Sequence, residues 1–154
     1  MCIVPYAIIR KKYNVTIKDL GLGRLSLYDF ILVVVTIAVG VAALIIGGAS
    51  FNLKLLNITL HFLWISIGEE FLSRGCVFYC FKKITNSKWI IVTVSAFIFA
   101  FGLHMGGDLM DNITIRLPLG LVFAVAYAFT NRLYLPIALH WVYDVAIDYI
   151  VLLF

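Results

Sequence analysis

Gly68-Glu69-Glu70-Phe71-Leu72-Ser73-Arg74-Gly75 lies in the middle of an apolar run that reaches from about Leu55 to Phe81. On insertion scales, each charged side chain at the centre of a membrane helix costs roughly 2.5–3.5 kcal/mol, so three unpaired ones cost about 9 kcal/mol together. A segment that served only as an anchor would not carry them. The three groups must pair inside a bundle, face water or do chemistry.

The rest of the chain sets the frame for that choice. Its 154 residues are 64% hydrophobic and 13% charged, outside the range of a soluble globular domain. The fold expected is an all-α integral membrane protein, a bundle of about five transmembrane helices around a buried polar chamber. The net charge of +4 does not point to nucleic acid, because the basic residues flank apolar spans. Cys2, Cys76 and Cys80 are an odd set without a disulfide framework, and Cys76 and Cys80, four apart, read as packing residues on one helix face.

Residues 1–28 read as a membrane-surface segment, followed by a transmembrane domain over 29–154. Met1 to Ile9 is apolar but too short to span, and Arg10, Lys11 and Lys12 follow it, the reverse of a signal peptide. Asp19-Leu20-Gly21-Leu22-Gly23-Arg24 reads as a turn, since no strand precedes it to make a nucleotide-binding loop. Spans are expected from about Phe30 to Ile46, Leu53 to Phe81, Trp89 to Met105, Ile113 to Phe129 and Leu133 to Phe154. Arg10, Lys11, Lys12, Lys18, Arg24, Lys82, Lys83, Lys88 and Arg132 fall on one side of such a bundle, and Lys54 and Arg116 on the other. That asymmetry implies a multi-pass protein of the cell membrane with a cytoplasmic N-terminus.

Glu70 and Arg74, four apart, share a helix face and can pair. Glu69 is turned about 100° away. It sits beside a second carboxylate in a poorly solvated place, a setting suited to a general base near neutral pH. His104 closes the third span. His140 and Asp144, again four apart, share a face of the fifth span, where the acid can orient the imidazole. Asp148, one turn on, is expected at the interface, and His61 reads as interfacial or structural. Each pair also has a purely structural reading, as an ion pair or hydrogen bond that fixes helix packing. Depth is one tension. At 1.5 Å per residue, Glu69 lies roughly 20 Å from Lys82 and His104 roughly 24 Å from Lys88, but His140 only about 12 Å from Arg132. The last helix must be displaced or tilted, or Arg132 must lie below the interface, for the three to meet.

Glu69-Glu70-Phe71-Leu72-Ser73-Arg74 matches a Glu-Glu-x-x-x-Arg motif, and His140-Trp141-Val142-Tyr143-Asp144 a His-x-x-x-Asn/Asp motif. Between them, Phe101-Gly102-Leu103-His104 departs from Phe-x-x-x-His, with Ala100 at the Phe position. In this order, on separate spans, these motifs resemble the CPBP or Abi family of CAAX-protease and bacteriocin-processing intramembrane peptidases, over about residues 55–153. The resemblance implies that Glu69 and His104 activate water, His140 and Asp144 line an oxyanion site, and Glu70 and Arg74 support it. No cofactor is then expected; if zinc were used, Glu69, His104 and His140 would be its ligands. The implied reaction is hydrolysis of a peptide bond in a membrane-associated protein or peptide, with the lipid bilayer as the other partner and no nucleic acid. The alternatives are a non-catalytic immunity or peptide-binding protein of the same fold, and a proton- or ion-coupled carrier.

Overall fold

Four of the long helices start on a side chain that satisfies their first free amides. The computed structural model describes residues 3–49 and 52–151, so Met1, Cys2 and the last residues of the expected fifth span lie outside it. Among the described residues the fold is all-helical, with six helices and no sheet. α1 is Ile3–Tyr13. α2, Leu27–Ile46, is capped by a reciprocal pair: the Ser26 hydroxyl accepts from the Asp29 N–H and the Asp29 carboxylate accepts from the Ser26 N–H, 3.1 Å each. α3, Leu53–Phe81, starts at Asn52, whose side chain accepts from the Leu55 N–H at 3.0 Å. α4, Lys88–Leu103, starts at Ser87. α5, Leu109–Thr130, starts at Asp108, which accepts from Met110 and Asp111, and ends at Asn131 in a left-handed conformation. α6 is Tyr134–Val151.

α2, α3 and α5 are long and apolar enough to cross a membrane, which makes the chain a multi-pass membrane protein. The two remaining spans expected from sequence correspond to α4, a shorter apolar helix, and α6, which carries His140, Asp144 and Asp148. α6 is the centre of the arrangement and packs against α2, α3 and α5, while α4 packs on α5. Small residues set the closest approaches. A Cβ at Gly40 of α2 would run into Val142 of α6, and one at Gly120 of α5 would lie 3.0 Å from Phe99 Cδ1 and 3.3 Å from the Ala96 carbonyl of α4.

The depth tension resolves at the start of α6. Leu133 is fully buried, and its N–H donates to the Gly21 carbonyl at 3.1 Å. The segment after α1 therefore does more than lie on the bundle. Val15 and Leu20 are buried in the core with Phe78, Tyr127 and Leu133, and Leu20 lies over Gly75. The first turn of α6 packs beneath this plug, a placement that fits the displacement of the last helix expected from the residue count. Asp19 folds the plug: its carboxylate accepts from the Thr16 hydroxyl at 2.7 Å and the Thr16 N–H at 2.8 Å, bonds that hold the carboxyl below its ordinary range.

Gly21, at φ +98°, makes the turn that brings its carbonyl to Leu133. A Cβ there would lie 2.8 Å from Tyr127 Cε2 and 3.3 Å from Leu133 Cγ. Gly21→Val is expected to destabilise the protein by about 2 kcal/mol or more through backbone strain and the clash. Thermal unfolding in detergent micelles measures this, and an unchanged melting temperature would show that the plug does not anchor α6.

Candidate active site

The site grows from a buried carboxylate. Glu70 and Arg74 are both fully buried, and Arg74 Nη1 donates to Glu70 Oε1 at 2.8 Å, as their spacing predicts. Arg74 also donates from Nη1 to the Ser73 hydroxyl at 2.6 Å and from Nη2 to the Gly120 carbonyl of α5 at 2.8 Å. Its guanidinium lies over the rings of Phe99, 4.6 Å away, and Phe123, 5.6 Å away. The second hydrogen bond to Glu70 Oε1, at 2.9 Å, comes from His140 Nδ1. Glu70 on α3, across the bundle, thus joins Asp144 in orienting the His140 ring. A carboxylate oxygen only accepts, so this bond places a hydrogen on Nδ1 and turns Nε2 outward. Nε2 lies 3.2 Å from Asp144 Oδ2, and the ring stacks on Phe123 at 4.9 Å between centroids.

Glu69 points away from this ion pair. Its Oε2 has no hydrogen-bond partner and lies 3.9 Å from His104 Nε2 and 4.0 Å from His140 Nε2. His104 follows the end of α4, and its Nδ1 donates to the Phe99 carbonyl at 3.0 Å. A carbonyl cannot donate, so the neutral His104 ring carries its hydrogen on Nδ1 and turns the Nε2 lone pair toward Glu69. Glu69, His104, His140 and Asp144 all line one cavity of about 480 Å³.

Three helices wind more loosely where they meet this site. Phe71–Cys76, Ile98–Leu103 and Asn112–Arg116 are π-helical turns, in which residues five apart align as residues four apart do in an α-helix. The first carries Arg74, and Ser95 of α4 donates its hydroxyl to the Ser73 carbonyl inside it at 2.8 Å. The second explains the irregular middle motif. Phe99, five residues before His104, packs edge-on to it at 5.3 Å and edge-on to His140 at 5.4 Å. Phe101 faces elsewhere and stacks on Phe97. The aromatic partner of His104 is therefore Phe99, not a residue at the Phe101 or Ala100 position, because the widened turn moves the register by one.

Other residues fall where the sequence did not put them. Asp148, expected at the interface, lines the same cavity, as do Asp111, Arg116 and Tyr143. Asn112, almost fully buried, donates from Nδ2 to the His104 carbonyl at 3.2 Å and accepts from Arg116 Nη1 at 2.7 Å. The four-residue spacing of Asn112 and Arg116 was visible in the sequence, but nothing local connects it to His104. His61 is exposed and apart from the cavity, its ring edge-on to Phe62. Cys76 and Cys80 form no disulfide; Cys76 is a core residue and Cys80 packs against the core. Among the described residues no group of three His, Cys, Asp or Glu side chains is arranged to hold a metal ion.

Fold and site together define a multi-pass helical membrane protein with an acid and imidazole cluster inside its bundle. Residues 50–146 match the family described as type II CAAX prenyl endopeptidase, Rce1-like, and the chain belongs to that family. No curated protein and no solved structure matches the chain.

Removing one partner of a buried ion pair strands the other charge. Arg74→Met is expected to destabilise the protein by about 3–5 kcal/mol, and Glu70→Gln combined with Arg74→Met to recover part of that loss. Folded yield and thermal unfolding in detergent measure both. Wild-type melting of Arg74→Met would mean that the pair does not hold the bundle.

Proposed function

We propose that this protein is an intramembrane endopeptidase that hydrolyses a peptide bond of a membrane-associated protein or peptide with a water activated by Glu69 and His104. The observation that carries the reading is the Glu69 carboxylate oxygen, without a hydrogen-bond partner, between two imidazole Nε2 atoms at 3.9 and 4.0 Å in a cavity wall. Those gaps are too long for direct hydrogen bonds and suit groups that share a bridging water. Glu69 takes a proton from that water as its oxygen attacks the peptide carbonyl carbon, and His104 Nε2 accepts the water's second hydrogen bond. The carbonyl π electrons move to oxygen, and the His140 ring, carrying hydrogens on both nitrogens between the Glu70 and Asp144 carboxylates, shares its Nε2–H with the oxyanion. Glu69 then gives its proton to the leaving amine as the C–N bond breaks. Asp144 steadies the His140 ring on its Nε2 side, and Glu70 with Arg74 supports it from the other. No step needs a metal or other cofactor.

The same reading sets the protein in the cell membrane. The basic residues of three segments meet at one end of the bundle: Lys18, Arg24 and Arg132 border one hollow, and Lys82 donates to Asn131 at 3.1 Å. That end faces the cytoplasm by the rule that basic residues flank the cytoplasmic side. α4 and α6 complete five spans with α2, α3 and α5, their polar groups facing the chamber instead of lipid, and the segment before α2 lies at the membrane surface.

Hydrolysis of fluorogenic peptides by purified protein in lipid nanodiscs tests the chemistry. Glu69→Ala and His104→Ala are each expected to lower kcat/KM by about 10²–10⁴-fold with little change in melting temperature. Chelator treatment is expected to leave the wild-type rate unchanged. A wild-type protein that binds every peptide and releases it intact would instead be a binding or immunity protein, and full activity in Glu69→Ala would remove the glutamate mechanism.

A further inference from the structure

The cavity holds a cation that the proposed hydrolysis does not use. Arg116 supplies the single Lys or Arg side chain among the described residues that line it, against the carboxylates of Glu69, Asp111, Asp144 and Asp148. Arg116 makes no ion pair with any of these acids among the described residues; its one hydrogen bond is Nη1 to the Asn112 amide oxygen, at 2.7 Å. Asn112 is itself locked by the His104 carbonyl, so it holds one arm of the guanidinium and leaves the other donors of the fork unused. The space is made by a missing side chain: a Cβ on Gly107 would lie 2.7 Å from Arg116 Nη1. The same Cβ would also lie 3.2 Å from the His104 carbonyl oxygen and 3.3 Å from Asn112 Oδ1, so the three groups crowd this position together.

We infer that Arg116 docks the free C-terminal carboxylate of the peptide held in this cavity, and so selects a substrate that ends there over a chain that passes through. A planar fork with free donors fits a carboxylate in two parallel hydrogen bonds. The surrounding acids sharpen the choice. Elsewhere in the cavity a peptide carboxylate would face Glu69, Asp111, Asp144 or Asp148 and be repelled, so Arg116 favours the register that brings the chain end to its guanidinium. The inference rests on the proposed peptide-binding cavity. The family description names a motif of the C-terminal kind; the structure adds the side chain that reads its end.

The test uses two dye-labelled peptides of the same apolar Leu/Ala sequence, one ending in a carboxylate and the other in a carboxamide. Their binding is measured by fluorescence anisotropy on the full chain in nanodiscs of neutral lipid, in a Glu69→Ala background so that no peptide is cut. The carboxylate form is expected to bind about tenfold or more tighter. Arg116→Gln is expected to bring the ratio close to one, and Arg116→Lys to keep part of it. A ratio near one without any Arg116 change overturns the inference, and this arm needs no further variant to fold. An unchanged ratio in Arg116→Gln, with both peptides weakened equally, also overturns it and leaves Arg116 as a positioning residue for His104 through Asn112. Hydrolysis is read separately with Glu69 intact: a carboxylate preference in a protein that cuts neither peptide supports the docking role and removes the endopeptidase.

Discussion

A fully buried carboxylate held by two side chains, one from its own helix and one from across the bundle, organises this structure. Glu70 Oε1 receives Arg74 from its own helix and His140 from α6, and Arg74 reaches on to a carbonyl of α5. One ion pair thereby ties α3 to both neighbours. In water such a pair is weak evidence of stability, because desolvation cancels much of the attraction. In a bilayer the alternative to pairing is a charge in hydrocarbon, so the geometry is enforced by the surroundings. Phe99 and Phe123 complete the enclosure. They cover the guanidinium, and Phe123 also stacks on the His140 ring, so the same aromatic pair that shields the support touches the imidazole it orients.

The π turns let three helices serve that centre without breaking. A turn of this kind inserts a residue, rotates the remainder of its helix and is often found at functional sites. Here each lies in a helix that lines the cavity: one after Glu69 and Glu70, one just before His104, one holding Asn112 and Arg116. A carbonyl inside such a turn needs a partner from outside when no water is available, and the Ser95 hydroxyl provides one at Ser73.

The sequence made some of this plain for a definite reason. Glu70 with Arg74 and His140 with Asp144 are separated by four residues, so the helical repeat alone puts each pair on one face, and the cost of charge in an apolar run marks them out. The extent of α3 was equally readable, because its apolar run is bounded by Asn52 and Lys82. The features that stayed hidden depend on contacts between segments. The widened turn before His104 leaves no local sequence mark, so Phe101 looked like a misplaced motif residue while Phe99 did the packing. The sunken start of α6 comes from Leu133 pairing with Gly21, a contact no hydropathy plot contains. That one cavity reaches both Asp148 and Arg116 is likewise visible only once the helices are packed.

Two adjacent glutamates of the same type end in different chemical situations, and a single peptide unit of helix separates them. A rotation of about 100° between neighbours sends Glu70 into the packed interior, where its one bonded oxygen is saturated by Arg74 and His140. It sends Glu69 to the cavity wall, where Oε2 faces two imidazoles across gaps that admit a small molecule. Neither role could be given to the other by exchanging partners, because the cation sits four residues from Glu70 and so on its face alone. The helix itself therefore places one acid in the buried ion pair and the other on the cavity wall. His140 joins the two placements, since one ring nitrogen is held by Glu70 and the other faces Glu69 and Asp144 in the cavity.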